Sequence, residues 1–143
     1  MMAAVGAANV SSDQPGRAEP TAVLGIDHVQ VAAPPGSEEG ARRFYGDVLG
    51  LTELAKPEAL RARGGAWFAC GAHQLHVGIA QPFAPATKAH PALAVAGAHL
   101  DHLATRLTEA GFPVRWDDTI PGTRRFFTDD PWGNRIELVG VSA

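Results

Sequence analysis

The order of apolar and polar positions along the chain predicts two consecutive blocks of strands, each built around one helix. Side chains alternate between the two faces of a strand, whereas the apolar face of a helix recurs every three or four positions. In the first block this pattern predicts strand, helix and three further strands over residues 23–31, 37–49, 51–54, 66–70 and 74–79. In the second block it predicts the same order over residues 90–95, 99–110, 112–116 and a hairpin at 126–139. Residues 57–63 fit a helical turn or a loop, and the proline-containing segment 81–88 is predicted to link the blocks.

A constant offset between matching positions indicates an internal repeat. His28 and His90 are 62 positions apart, His76 and Glu137 are 61 apart, and the glycines that close the two helices are also 61 apart. We therefore predict an α+β fold of two βαβββ repeats, about 22–80 and 90–141, forming a curved mixed sheet around a cleft with the helices outside. One repeat is too small to bury its apolar face alone, so the two pack together in a single domain over 22–143, or with those of another chain.

Composition narrows the class of protein without identifying a function. The chain of 143 residues is 45% apolar, as is usual for a globular domain, and its net charge of −3 comes with no basic stripe for nucleic acid. No apolar run is long enough to span a bilayer. The single cysteine, Cys70, excludes an internal disulfide and fits a reducing compartment, so we expect a cytoplasmic protein. Residues 1–21 lack periodicity and are predicted to form a disordered tail.

Four possible metal ligands occupy equivalent positions in the two repeats. His28 and His90 lie on the first predicted strand of each repeat, and His76 and Glu137 lie on the last. Their apolar neighbours face the helices, so the four polar side chains are predicted to face one shared concavity. Imidazole and carboxylate suit Zn²⁺, Ni²⁺, Fe²⁺ or Mn²⁺, and a catalytic site leaves positions open for water or substrate. The alternative is a site without metal, in which Glu137 pairs with His76 or Arg135 because a buried charge needs a partner.

Further polar residues are candidates for the wall of a substrate pocket. Gln30, Gln74 and Arg135 share the polar strand faces of the four possible ligands. Arg125 lies just before the last hairpin and either holds a substrate carboxylate or is solvated.

Four segments resemble the vicinal oxygen chelate superfamily. They are the motifs IDHVQV, RRFYGDVLGL, QLHVGI and DDPWGNRIELV, at residues 26–31, 42–51, 74–79 and 129–139. The superfamily includes glyoxalase I, methylmalonyl-CoA epimerase, extradiol dioxygenases, fosfomycin-resistance enzymes and metal-free bleomycin-resistance proteins. The resemblance implies that His28, His90 and Glu137 are metal ligands. His76 stands where glyoxalase I and the epimerase usually have Glu or Gln, which argues against standard glyoxalase I activity and makes His76 a fourth ligand or a proton carrier.

The resemblance also implies a function and an assembly. We expect a metalloenzyme in which a divalent cation (Zn, Ni, Fe or Mn) activates a small oxygen-chelating substrate, with His76 and Glu137 as the catalytic residues. The reaction is open between lyase, isomerase and dioxygenase chemistry. The alternative is a metal-free protein of the bleomycin-resistance type that sequesters a drug or metabolite. Members often form homodimers, and a homodimer is expected here.

Overall fold

The computed structural model describes residues 22–142, so the tail predicted over residues 1–21 lies outside the described part of the chain. The first repeat contains four strands: β1 (His28–Ala33), β2 (Thr52–Leu54), β3 (Ala66–Cys70) and β4 (His73–Ile79). Its helices are α1 (Glu38–Ala41), which continues as a π-helical segment (Arg42–Val48), and the short α2 (Glu58–Arg61). The second repeat contains β5 (Ala92–Ala96), a 3-10 turn (Gly97–His99), α3 (Leu100–Glu109), β6 (Arg115–Asp117), β7 (Arg125–Asp129) and β8 (Arg135–Val141).

The strand order confirms the predicted repeat. The strands form two four-stranded sheets, ordered β1-β4-β3-β2 and β5-β8-β7-β6. In each sheet the first pair of strands is parallel and the other two pairs are antiparallel. The mixed sheet of the prediction is therefore divided into two, one sheet per repeat, with β1 and β5 as equivalent edge strands.

Three strands begin later than predicted. The ladder between β1 and β4 starts with His28 opposite Gln74, so β1 does not include residues 23–27. The strand predicted from residue 90 begins at Ala92, because Pro91 has no N–H to donate to a ladder. His90 therefore lies just before β5, not on it. The strand predicted from residue 112 begins at Arg115, two residues after Pro113.

One apolar core joins the two repeats. It lies between the helices and the inner faces of both sheets, and its largest fully buried side chains are Tyr45, Phe44, Phe68, Phe126, Leu75, Leu100, Leu107, Ile136 and Leu138. Phe44 meets Phe112 of the second repeat edge to face, with ring centroids 4.8 Å apart. Burying the apolar faces against each other is what a single repeat could not do alone. Among the described residues, no helix is both long and apolar enough to cross a membrane.

A buried polar cluster ties the turn between β7 and β8 to the first repeat. The Asp130 carboxylate accepts hydrogen bonds from the Tyr45 hydroxyl (2.8 Å) and the Asn134 side-chain amide (2.8 Å). The same Asn134 amide nitrogen also donates to the carbonyl of Ala32 on β1 (2.8 Å), and its carbonyl oxygen accepts from the backbone N–H of Ala86 (2.9 Å). This cluster fixes β1 and the segment before β5 relative to the start of β8.

Candidate functional site

The first repeat contributes a pair of stacked histidines. The rings of His28 and His76 have centroids 4.2 Å apart and planes 21° apart. The other face of His76 stacks on Trp67 of the neighbouring strand, with centroids 4.0 Å apart and planes 2° apart. His76 Nε2 lies 2.8 Å from Gln74 Oε1 and donates to it, which leaves the Nδ1 lone pair available. His76 is thus held in one orientation by two rings and one amide.

Burial keeps the His76 imidazole neutral near pH 7. Loss of hydration lowers the pKa of His76, and the adjacent His28 lowers this pKa further. A neutral imidazole can accept a proton or bind a metal, whereas an imidazolium can do neither. The predicted role of His76 as ligand or proton carrier is compatible with this environment.

The second repeat contributes a histidine paired with a buried carboxylate. His90 Nε2 lies 3.2 Å from Glu137 Oε1, and the Glu137 residue is only 7% exposed. His90 Nδ1 lies 2.8 Å from the carbonyl oxygen of Lys88. The backbone also joins the two, since Glu137 N–H donates to the carbonyl of Pro91 (3.0 Å).

Arg125 completes the surroundings of Glu137. Its Nη1 donates to Glu137 Oε1 (3.0 Å) and its Nη2 donates to Asp117 Oδ1 (3.1 Å). The guanidinium also lies over the ring of Phe127, 5.2 Å from its centroid. Because Arg125 donates hydrogen bonds to two carboxylates, the prediction that its side chain is solvated is wrong. Arg125 lies in contact with one of the predicted ligands.

The equivalent histidines of the two repeats share one hydrogen-bonding pattern. His28 Nδ1 donates to the carboxylate of Asp27 (2.9 Å), as His90 Nδ1 donates to the Lys88 carbonyl. Nε2 is therefore the second nitrogen of each ring: in His90 it faces Glu137 Oε1 at 3.2 Å, and in His28 it makes no hydrogen bond within residues 22–142. His76 departs from this pattern, because its Nε2, not its Nδ1, is the nitrogen that donates, to Gln74 Oε1.

The two ligand pairs remain separate within one chain. Over residues 22–142, no group of three or more His, Cys, Asp or Glu side chains lies close enough to hold one metal ion. The four-ligand site therefore stays a prediction. Gln74 contacts His76, whereas Gln30 and Arg135 line a cavity of about 390 Å³ together with His90.

Two residues that contact the candidate site residues were not identified from the sequence. Trp67 is the first, because its ring stacks on His76. Asp117 is the second: it lies one residue beyond the strand predicted over residues 112–116, and it ends β6 opposite Arg125 in the ladder. Alternation along β7 puts Arg125 and Phe127 on one face, so a residue opposite Arg125 on the partner strand could have been sought. The predicted partner strand ended at residue 116, one residue before Asp117, and therefore did not reveal the contact.

Comparison with known proteins identifies relatives over most of the chain. Residues 25–138 match the model of the Glyoxalase/Bleomycin resistance protein/Dioxygenase superfamily. A crystal structure of a glyoxalase family protein from Bacillus anthracis is 47% identical, with a TM-score of 0.81 over 85% of this chain and 98% of that chain. No curated protein matches significantly.

Two more distant structures share the fold. A lactoylglutathione lyase from Agrobacterium tumefaciens is 23% identical, with a TM-score of 0.64 over 85% of this chain and 96% of that chain. The fosfomycin resistance protein FosX from Listeria monocytogenes is 14% identical, with a TM-score of 0.67 over 84% of this chain and 95% of that chain. Proteins with different names thus have the same architecture, so the fold does not select a reaction.

Proposed function

The chain belongs to the Glyoxalase/Bleomycin resistance protein/Dioxygenase superfamily, and on that basis we propose that it is an enzyme in which a divalent metal activates a small oxygen-chelating substrate. The proposed ligands are His28, His90 and Glu137, with His76 as a fourth ligand or as the group that moves a proton. Zn²⁺, Ni²⁺, Fe²⁺ and Mn²⁺ all suit this set of imidazole and carboxylate donors. The ring nitrogens of His90 provide the observation that carries the proposal.

His90 is prepared as a metal ligand by its hydrogen bond to Lys88. A carbonyl only accepts hydrogen bonds, so Nδ1 carries the proton, and in a neutral ring the Nε2 lone pair faces Glu137 Oε1 at 3.2 Å. Two lone pairs at that distance repel each other unless a proton or a cation lies between them. Metal-binding histidines usually donate their other N–H to a carbonyl or carboxylate, as His90 does.

The second oxygen of Glu137 is also suited to a cation. Both neighbours of the carboxylate, His90 and Arg125, approach Oε1. Oε2 has no hydrogen-bond partner within residues 22–142. A metal bound at Oε2 would leave the bond to Arg125 in place, and that bond would hold the carboxylate in one orientation.

The chemistry follows from these placements. When bound, the metal supplies a Lewis acid that stabilises negative charge on a substrate oxygen. His76, neutral and fixed between two rings, can take a proton from the substrate at Nδ1 and return it, as lyase and isomerase reactions require. Two histidines and one carboxylate with open positions are equally the ligands of non-haem iron oxygenases, so dioxygenase chemistry is part of the same proposal.

A second function is favoured by Arg125. Its guanidinium already compensates the buried charge of Glu137 without a metal. The alternative is therefore a metal-free protein that sequesters a small drug or metabolite in the same cleft. In this alternative the ion pair is structural and no turnover occurs.

The metal content of the wild-type protein separates the two functions. We expect close to one metal per chain after incubation with Zn²⁺, Ni²⁺, Fe²⁺ or Mn²⁺ and removal of the free ion, measured by plasma mass spectrometry. The bound ion narrows the reaction, because iron favours dioxygenation whereas nickel or zinc favours lyase or isomerase chemistry. If the protein stays empty after incubation with every ion, the metalloenzyme proposal is rejected in favour of the binding protein.

We further propose that the protein is a homodimer in the cytoplasm, where its single cysteine stays reduced. Dimerisation would bring the His28–His76 pair of one copy to the His90–Glu137 pair of another, since the pairs are separate within one chain. Mixing His28→Ala and Glu137→Gln chains, each of which lacks one proposed ligand, tests this arrangement. If sites are shared, random reassociation restores about a quarter of the wild-type sites, because each mixed dimer contains one intact site.

The metal content of the mixture reports the restored sites, and each variant reassociated with itself is the control. If the mixture binds no more metal than the average of the two variants, the site is not shared between copies. Sedimentation of the wild-type protein then determines whether a dimer forms at all.

A further inference from the structure

The cavity that contains His90 has an arginine without a carboxylate partner. This cavity of about 390 Å³ lies between the edge of β1, the segment before β5 and the start of β8, and its wall includes Gln30, Ala86, His90 and Arg135. The Arg135 guanidinium lies over the ring of Phe127, 5.3 Å from its centroid. Within residues 22–142 it makes no hydrogen bond or ion pair. A half-buried guanidinium that has no such partner favours the binding of an anion.

The ion pair that Asp129 makes with Arg115 explains why Arg135 has no carboxylate partner. Asp129 faces Arg135 in the ladder between β7 and β8 and would be its natural partner. Both carboxylate oxygens of Asp129 are instead taken by Arg115, at 2.9 and 2.7 Å. This bidentate pair removes the one carboxylate opposite Arg135, so the charge of Arg135 is available to the cavity.

The edge of β1 adds backbone donors to the same cavity. Ala33 uses its carbonyl to bond Ala80 on the β4 side, whereas the carbonyl of Ala32 points the other way and accepts from Asn134. Alternation along the strand then directs the N–H groups of Gln30 and Ala32 away from β4, toward the cavity that both residues line. Since β1 is the last strand of its sheet, no strand of the described chain pairs with these N–H groups.

We infer that this cavity binds the carboxylate of a small organic acid, with the Arg135 guanidinium and the N–H groups of Gln30 and Ala32 as donors. A planar guanidinium matches a planar carboxylate with two parallel hydrogen bonds, and backbone N–H groups also bind anions. The bound acid lies beside His90, so the site rests on the proposed function in one respect: it names the class of substrate that the metal would activate.

Titration of the chelator-treated, metal-free protein with pyruvate tests the site directly. We expect saturable changes in the amide NMR signals of Gln30 and Ala32. Arg135→Gln is expected to raise the dissociation constant for pyruvate at least about tenfold. Arg135→Lys is expected to raise it less, because a lysine keeps the charge but loses the two-point contact. Arg124→Gln, which removes the same charge from an exposed arginine paired with Asp101, is expected to leave binding unchanged.

Two further probes define the chemistry. Pyruvamide has the shape of pyruvate without its charge and is expected to bind at least about tenfold more weakly. Binding of pyruvamide as tight as that of pyruvate, tighter binding of inorganic phosphate, or an unchanged affinity in Arg135→Gln would each overturn the inference. Because no metal is present, a positive result stands even if the protein never takes up metal, and a negative result leaves the metal proposal unaffected.

Discussion

Replacement of Glu137 by glutamine is expected to abolish stoichiometric metal binding while the protein stays folded. The amide has almost the shape of the carboxylate but no charge, and an NH₂ group replaces one of its two oxygens. Loss of a residue that merely supports a ligand already costs 10- to 100-fold in metal affinity, so loss of a charged ligand is expected to cost at least about a hundredfold. Activity falls with metal occupancy, since the substrate oxygen is then left without its Lewis acid.

Glu109→Gln is the matched control for Glu137→Gln. Glu109 ends α3 and is exposed, so this substitution removes one carboxylate from the chain without touching the site. Metal content by mass spectrometry and thermal unfolding are measured on both variants. Retention of wild-type metal content by folded Glu137→Gln protein would remove Glu137 from the ligand set and with it the proposed metal site.

The same variant also has a distinct signature in the metal-free alternative. There the carboxylate serves as the partner of Arg125 and His90, so Glu137→Gln removes a buried ion pair and lowers the free energy of unfolding of the apo protein. Arg125 retains Asp117 as a partner, which limits this loss. An enzyme therefore shows its main effect in metal content, and a binding protein shows it in stability alone.

The backbone of the site could be predicted from the sequence, but the contacts of its side chains could not. A constant offset relates His28 to His90 and His76 to Glu137, and the two sheets have the same strand order as a result. Strand alternation tells which face a side chain occupies, and it separates His76 on β4 from Leu75, and Glu137 on β8 from Ile136, both of which lie in the core.

Which nitrogen of each ring is available depends on neighbours that are distant in sequence or unpredictable in conformation. The stack of Trp67 on His76 requires the register between β3 and β4, which the hairpin length alone does not determine. The hydrogen bond from His90 to Lys88 requires His90 to lie outside the strand, a consequence of Pro91. The choice of Arg125 over Arg135 as the partner of Glu137 depends on where Asp117 and Arg115 lie in β6.

Removal of the Asp130 carboxylate is expected to be the most destabilising single polar substitution in the described chain. Asp130 is 4% exposed, and its two oxygens accept four hydrogen bonds, from Tyr45, from the side chain and backbone of Asn134, and from the backbone of Trp132. Asp130→Ala leaves three buried donors and the part-buried N–H of Trp132 without this acceptor. Each buried donor left unsatisfied costs about 1–3 kcal/mol, so we expect a loss of at least about 3 kcal/mol. Urea denaturation measures the loss as a change in the free energy of unfolding.

Tyr45→Phe is the graded control, because it removes only one of the four hydrogen bonds and keeps the ring in the core. A hydrogen bond to a charged group contributes about 1.5–3 kcal/mol, so Tyr45→Phe is expected to cost about 2 kcal/mol. If Asp130→Ala costs no more than Tyr45→Phe, the turn is held by its backbone and the carboxylate is not its centre. If the larger loss is found, Asn134 also loses the partner that orients it toward Ala32 and Ala86, and the segment that carries His90 loosens. The cluster would then link the stability of the fold to the geometry of the proposed site.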